Sequence, residues 1–145
     1  MNTLIDTTHS ELDDIFEFLM QHLGLDGVML TVTRNERLLD RLSTEHLELR
    51  IILVPSELPH TYTLVTRTNK IMPIAFCHEM VHLMQYESGR LKMNNDDGTM
   101  TWDGTVYSAA TDYFDREWEK EAESRQHDLL RAYRKHEKCN RYGKA

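Results

Sequence analysis

Cysteine is scarce in this chain. Cys77 and Cys139 are the two among 145 residues, too few for a disulfide framework, and both read as reduced thiols. No apolar stretch reaches the roughly 18 residues of a membrane span. The opening Met1-Asn2-Thr3-Leu4-Ile5-Asp6 also lacks the basic start and apolar run of an export signal. These absences lead to the expectation of a soluble, cytoplasmic protein with no membrane partner. Repeats, low-complexity runs and linker-like stretches are missing too. The length then predicts one domain over residues 1–145, with flexible ends at 1–9 and 138–145.

Positive charge is in deficit. The net charge of −7 argues against general nucleic-acid binding by the whole surface. The deficit is uneven, however. Residues 115–124 carry five acids against two bases, and residues 125–145 carry seven bases against two acids. Arg125, Arg131, Arg134, Lys135, Lys138, Arg141 and Lys144 keep nucleic acid open as a partner. A helix C-terminus that favours cations through its dipole is the better explanation.

What is present reads as an α+β chain. Ser10 followed by Glu11, Asp13 and Asp14 resembles an N-cap with acids in the first turn. Leu12, Ile15, Phe16, Leu19, Met20 and Leu23 then recur at helical spacing until Gly24. Residues 28–33, 47–53 and 61–66 alternate as strands, the second closed by Pro55, and residues 34–43 read as a loop or short helix. A further helix opens near Pro73 and stops at Gly89. The run Asn94-Asn95-Asp96-Asp97-Gly98 signals a hairpin turn. A last helix begins at 112 or 116 and ends near 136, with Trp118, Ala122, Leu129, Leu130, Ala132 and Tyr133 as its apolar members.

The chemistry concentrates in His78-Glu79-Met80-Val81-His82. On a helix, positions four apart share a face, so both imidazoles can turn to one metal ion. Glu79 then lies beside that metal, placed to take a proton from a water. In a chain with 8 histidines the pattern arises by chance on the order of 0.04 times. Ile71, Ile74, Ala75, Val81 and Met84, flanked by Cys77, Met80 and Leu83, make this helix apolar nearly all round, as in a buried one. Histidine and glutamate belong in such a helix when paired, hydrogen-bonded or metal-bound.

A catalytic zinc takes three protein ligands, so two histidines do not suffice. The third should come from a separate helix, and Glu117-Trp118-Glu119-Lys120-Glu121-Ala122-Glu123 lies in one. Here the chain resembles a family. His78-Glu79-Met80-Val81-His82 with a later Glu121-Ala122 is similar to the gluzincin branch of the zinc metallopeptidases. Trp102-Asp103-Gly104, the following Tyr107 and Glu117-Trp118-Glu119-Lys120-Glu121-Ala122 narrow the likeness to short phage-type zincins with a W-x-G hairpin and a (P)WExEA helix. Glu117 departs from the family's usual proline. The resemblance covers roughly residues 47–125.

That resemblance implies a zincin-like domain: a short mixed or antiparallel sheet of three to four strands on the HExxH helix, with N-terminal and C-terminal helices. It implies zinc on His78, His82 and Glu121, Glu79 as general base, and a bacterial or phage-infected cell as the setting. Glu117, four residues from Glu121, is the alternative ligand or an acceptor for a ligand imidazole. Glu119 and Glu123 fall off the face that Glu117 and Glu121 share; Glu123 reads as a solvated acid, and the same reading holds about half the time for Glu119. Tyr107 is a candidate oxyanion donor, with a plain hairpin anchor equally supported. Gln85 reads as a polar group behind the ligands or one that stabilises the fold, and Tyr86 as packing. His127, six residues beyond Glu121, falls off its face, and His9, His22, His46, His60 and His136, with no partner at ligand spacing, read as surface residues.

The expected function is peptide-bond hydrolysis on a peptide or protein substrate, with residues 61–66 as an edge strand to pair with it. The alternative is a zinc-stabilised binding module with a vestigial site. Neither reading specifies an oligomeric state.

Overall fold

The computed structural model describes residues 1–6, 11–43, 49–94 and 98–142. The Ser10 cap, His9, His46, the strand start at Leu47, the hairpin tip at Asn95, Asp96 and Asp97, and Lys144 lie outside those residues. The chain is mixed α+β, with four helices and two small sheets. It divides into two compact units, Met1–Met72 and Pro73–Ala145, where its length alone predicts one domain.

The first unit runs β1 (Thr3–Asp6), α1 (Leu12–His22), β2 (Met29–Arg34), α2 (Glu36–Leu42), β3 (Ile51–Pro55) and β4 (Thr61–Thr66). The apolar spacing of α1 buries Leu12, Ile15, Phe16, Leu19 and Met20. Alternation in β2 and β4 buries Leu30, Val32, Tyr62 and Leu64. The ambiguous residues after β2 form a helix because the Asn35 side chain accepts a hydrogen bond from the Leu38 N–H at 3.0 Å, a cap. Of the end expected to be flexible, Thr3–Asp6 forms β1. Asn2 donates to the Leu25 carbonyl and accepts from the Val28 N–H, both at 2.9 Å, which holds β1 beside β2.

The sheet order is β1-β2-β4-β3. Its β1/β2 and β2/β4 pairs are parallel and its β3/β4 pair is antiparallel. The expectation that residues 61–66 form an edge strand is therefore corrected. β2 pairs with β4 from Thr61 to Thr66 on one side and β3 pairs with it from Tyr62 to Thr66 on the other, so its backbone groups are already committed.

The second unit runs α3 (Pro73–Glu87), β5 (Leu91–Met93), β6 (Met100–Trp102), β7 (Thr105–Tyr107), a 3₁₀ turn (Tyr113–Asp115) and α4 (Glu117–Tyr142). Pro73 opens α3 where a missing N–H costs nothing. The left-handed Gly89 (φ 78°) follows its end. β5, β6 and β7 form an antiparallel sheet in which Leu91 faces Trp102 and Trp102 faces Thr105. Asp103 and Gly104 both have positive φ (47° and 84°), the backbone of a tight two-residue hairpin turn whose twist matches that of its strands.

Helices α3 and α4 pack together. Trp118, Ala122, Leu129 and Tyr133 of α4 are buried, the stripe its spacing predicts. Trp118 also closes a cluster with Leu91 and Trp102, against which Tyr86, Met100 and Tyr107 pack. The last helix continues to Tyr142, past the point where the sequence suggested fraying.

Candidate metal centre

α3 is buried around most of its circumference, and Glu79, His82 and Gln85 are buried with its apolar residues. His78 and His82 stand one turn apart with ring centroids 4.9 Å apart and planes at 79°. His78, Glu79 and His82 offer ligand-type atoms within 4.8 Å of one another. Their partner across the helix pair is Glu119. One oxygen, Oε1, lies 2.9 Å from His78 Nε2 and 2.9 Å from His82 Nε2.

The sequence reading favours Glu121 here, whereas the carboxylate that lies beside the two imidazoles is that of Glu119. Glu121 turns its carboxylate to Arg90 Nη1, at 3.1 Å and 3.0 Å, and accepts from Gln85 Nε2 at 3.1 Å. It lines a shallow groove of about 480 Å³ with Arg90, Asp103 and Lys120. Helix rotation explains the difference. At about 100° per residue, the stripe of Trp118, Ala122, Leu129 and Tyr133 centres about 70° from Glu119 and about 90° from Glu121 on the opposite side. Gln126, seven residues beyond Glu119, shares its shoulder, and Oε1 of Gln126 lies 2.6 Å from His78 Nδ1. Glu117 is exposed and accepts from Lys120 Nζ at 3.1 Å.

The far sides of the imidazoles are held by carboxamides. His82 Nδ1 lies 2.8 Å from Gln85 Oε1, as His78 Nδ1 lies near Gln126. With Nδ1–H donating there, each Nε2 is left to face Glu119. A carboxylate oxygen between two imidazole lone pairs is stable only if positive charge joins them, as protons or as a metal ion.

The titration tendencies agree. Burial disfavours charge on His82, but the hydrogen bond to Glu119 and the negative charges of Glu79 and Glu119 outweigh it, raising its pKa to about 9. His78 shifts upward through the same balance. Burial pushes Glu119 the other way from its imidazole hydrogen bonds, which prevail and hold its carboxyl well below the usual range.

These donors fit zinc. Two imidazole nitrogens, which a metal would hold in their neutral form, and one carboxylate oxygen converge, with each imidazole oriented from behind. Ligand atoms about 2.0 Å from a tetrahedral metal lie about 3.3 Å apart, so the 2.9 Å spacings need a few tenths of an ångström of opening.

Two phenols are near. Tyr113, on the 3₁₀ turn, donates to Glu119 Oε1 at 3.1 Å. Burial, then the charge of Glu119, raises its pKa. Tyr107, the residue singled out from the sequence, packs edge-on against Trp118 at 5.1 Å, in the position of a hairpin anchor. Sequence reasoning passed over Tyr113 and Gln126. The seven-residue spacing of Glu119 and Gln126 was a usable signal, whereas Tyr113 sits in a turn with no periodicity to mark it.

His127 and His136 are exposed on α4, the first near Gln126 Nε2 at 3.4 Å and the second near Asn140 Nδ2 at 3.0 Å. His22 stacks on Phe18, and His60 sits exposed in a left-handed turn. Among the described residues, no helix is long and apolar enough to cross a membrane. No protein-family model, curated protein or solved structure matches the chain, so function here must be argued from the site itself.

Proposed function

We propose that this protein is a zinc-dependent peptidase whose metal is held by His78 Nε2, His82 Nε2 and Glu119. The carrying observation is the single oxygen of Glu119 placed 2.9 Å from both Nε2 atoms, next to a buried Glu79. Zinc bound there would supply a Lewis acid that acidifies a water and polarises a carbonyl.

The remaining steps belong to the chain's own side chains. Glu79 accepts the proton of the attacking water and returns it to the departing amine, the shuttle a buried carboxylate beside the ligands can perform. Gln85 and Gln126 hold the imidazoles with their Nε2 atoms toward Glu119. Tyr113 places its hydroxyl at the rim of the cluster, where it can donate to the oxyanion that forms on the scissile carbonyl. The likeness of the HExxH stretch to phage-type zincins supports the peptidase reading, although the likeness of the WExEA stretch implies Glu121, not Glu119, as the third ligand.

Glu79→Gln tests it. The variant should bind zinc at one per chain, keep its fold, and lose cleavage of a peptide library that wild type cuts. Equal turnover by the two proteins would sink the mechanism. Zinc binding by wild type with no turnover on any library would favour a binding module instead.

A further inference from the structure

Gln85 has no exposed surface, and its polar atoms reach two helices. Its Nε2 donates to the Trp118 carbonyl at 3.0 Å and to Glu121 Oε1 at 3.1 Å, and its Oε1 faces His82 Nδ1 at 2.8 Å. The two acceptors fix the carboxamide's orientation. Turned over, it would set oxygen against a carbonyl and a carboxylate in a buried place, where an unsatisfied polar group is costly. With Oε1 toward the ring, His82 Nδ1 must carry the hydrogen, and the lone pair falls on Nε2.

Glu121 is fixed in turn. Arg90 Nη1 binds both of its oxygens, Arg90 Nε reaches Asp103 at 3.2 Å, and the Arg90 guanidinium lies 4.4 Å above the Trp102 ring. A chain of contacts therefore runs from the β6–β7 turn through Arg90, Glu121 and Gln85 to His82. Trp118 and Glu121 bracket Glu119 on α4, so the residue that selects the His82 tautomer also sets the register of α4 against α3.

We propose that Gln85, backed by Glu121, is the positioning residue of this site: it presents His82 Nε2 and brings Glu119 level with it. The inference rests on the metal-centre reading above. It gives Glu121 a role without ligation, as the anchor of a carboxamide.

The test uses the full-length protein loaded with Zn²⁺, with competition against a chromophoric chelator for affinity and ¹H–¹⁵N histidine spectra for the tautomer. Wild type should bind one zinc and show a His82 Nδ1–H protected from solvent exchange. Gln85→Leu should weaken zinc binding 10- to 100-fold, as expected when the partner of a ligand imidazole is removed, and should lose the protected proton. Gln85→Glu still offers an oxygen to Nδ1 and should keep that proton, at lower stability because its second oxygen faces the Trp118 carbonyl and the Glu121 carboxylate. Unchanged affinity and a retained proton in Gln85→Leu would overturn the positioning role while leaving the metal centre intact. A wild type that binds no zinc would overturn both.

Should Gln85→Leu fail to fold, Glu121→Ala carries the test. Removing one of the two carboxamide acceptors should speed exchange of the same Nδ1–H, and unchanged exchange would count against the proposal.

Discussion

Glu121 meets Arg90 through both carboxylate oxygens, 3.1 Å and 3.0 Å from the same Nη1. Glu119, two residues away on the same helix, is the one that meets the histidines. The expected outcome is a contrast between neighbours. Glu119→Ala should lose stoichiometric zinc, whereas Glu121→Ala should still bind one ion per chain, with lower affinity. Metal analysis after dialysis reads the difference. Retained zinc in Glu119→Ala with loss in Glu121→Ala would return Glu121 to the ligand set.

The phenols separate in the same manner. Tyr113→Phe removes the hydroxyl that reaches Glu119 and should lower kcat on the order of 10²-fold with little change in KM. Tyr107→Phe keeps the ring that packs on Trp118 and should leave kcat near wild type. A large kcat loss confined to Tyr107→Phe would reverse the assignment.

Proton affinity at the cluster gives the stability of metal-free protein a pH dependence. In metal-free protein the pKa of His82 rises from 6.5 to about 9, so its contribution is full below pH 6.5 and fades as pH climbs through about 9. His78, raised as well, acts in the same direction. The lowered carboxyl of Glu119 contributes above its ordinary 4.5 and fails on acidification. The Tm of chelator-treated protein should therefore fall as pH rises above 6.5. Zinc competes with those protons, so the Tm gap between loaded and chelated protein should widen across the same window. A chelated Tm that climbs over this window would contradict the arrangement.

Trp118 links the hairpin to α4, at 4% exposure within the Leu91–Trp102 cluster. Trp118→Ala should cost about 3–5 kcal/mol of unfolding free energy, measured by denaturant titration. A loss under about 1 kcal/mol would mean the cluster collapses around the gap.

Much of this was legible beforehand because it rests on periodicity. The stripe of Trp118, Ala122, Leu129 and Tyr133 is buried as its spacing requires, and the α3 motif brings its two imidazoles together. Glu119 against Glu121 was harder, since both flank that stripe and only the partners on α3 and at Arg90 separate them. Sequence alternation marked residues 61–66 as a strand but could not give its neighbours, so the central place of β4 was not readable. β1 was missed because four residues carry little pattern, and what holds them is Asn2 binding backbone across the chain. Tyr113 lies outside any regular run, and turns deliver side chains to sites without leaving a periodic trace.

His78 and Glu119 are 41 positions apart in the chain yet share one oxygen-to-nitrogen contact. A metal ion gripping both would therefore act as a reversible staple around the whole hairpin between α3 and α4. By chain entropy, a permanent link closing a loop of that size is worth about 4 kcal/mol. Its removal would be felt first by the cohesion of the Pro73–Ala145 unit, so that unit's folding would register how much metal is at hand.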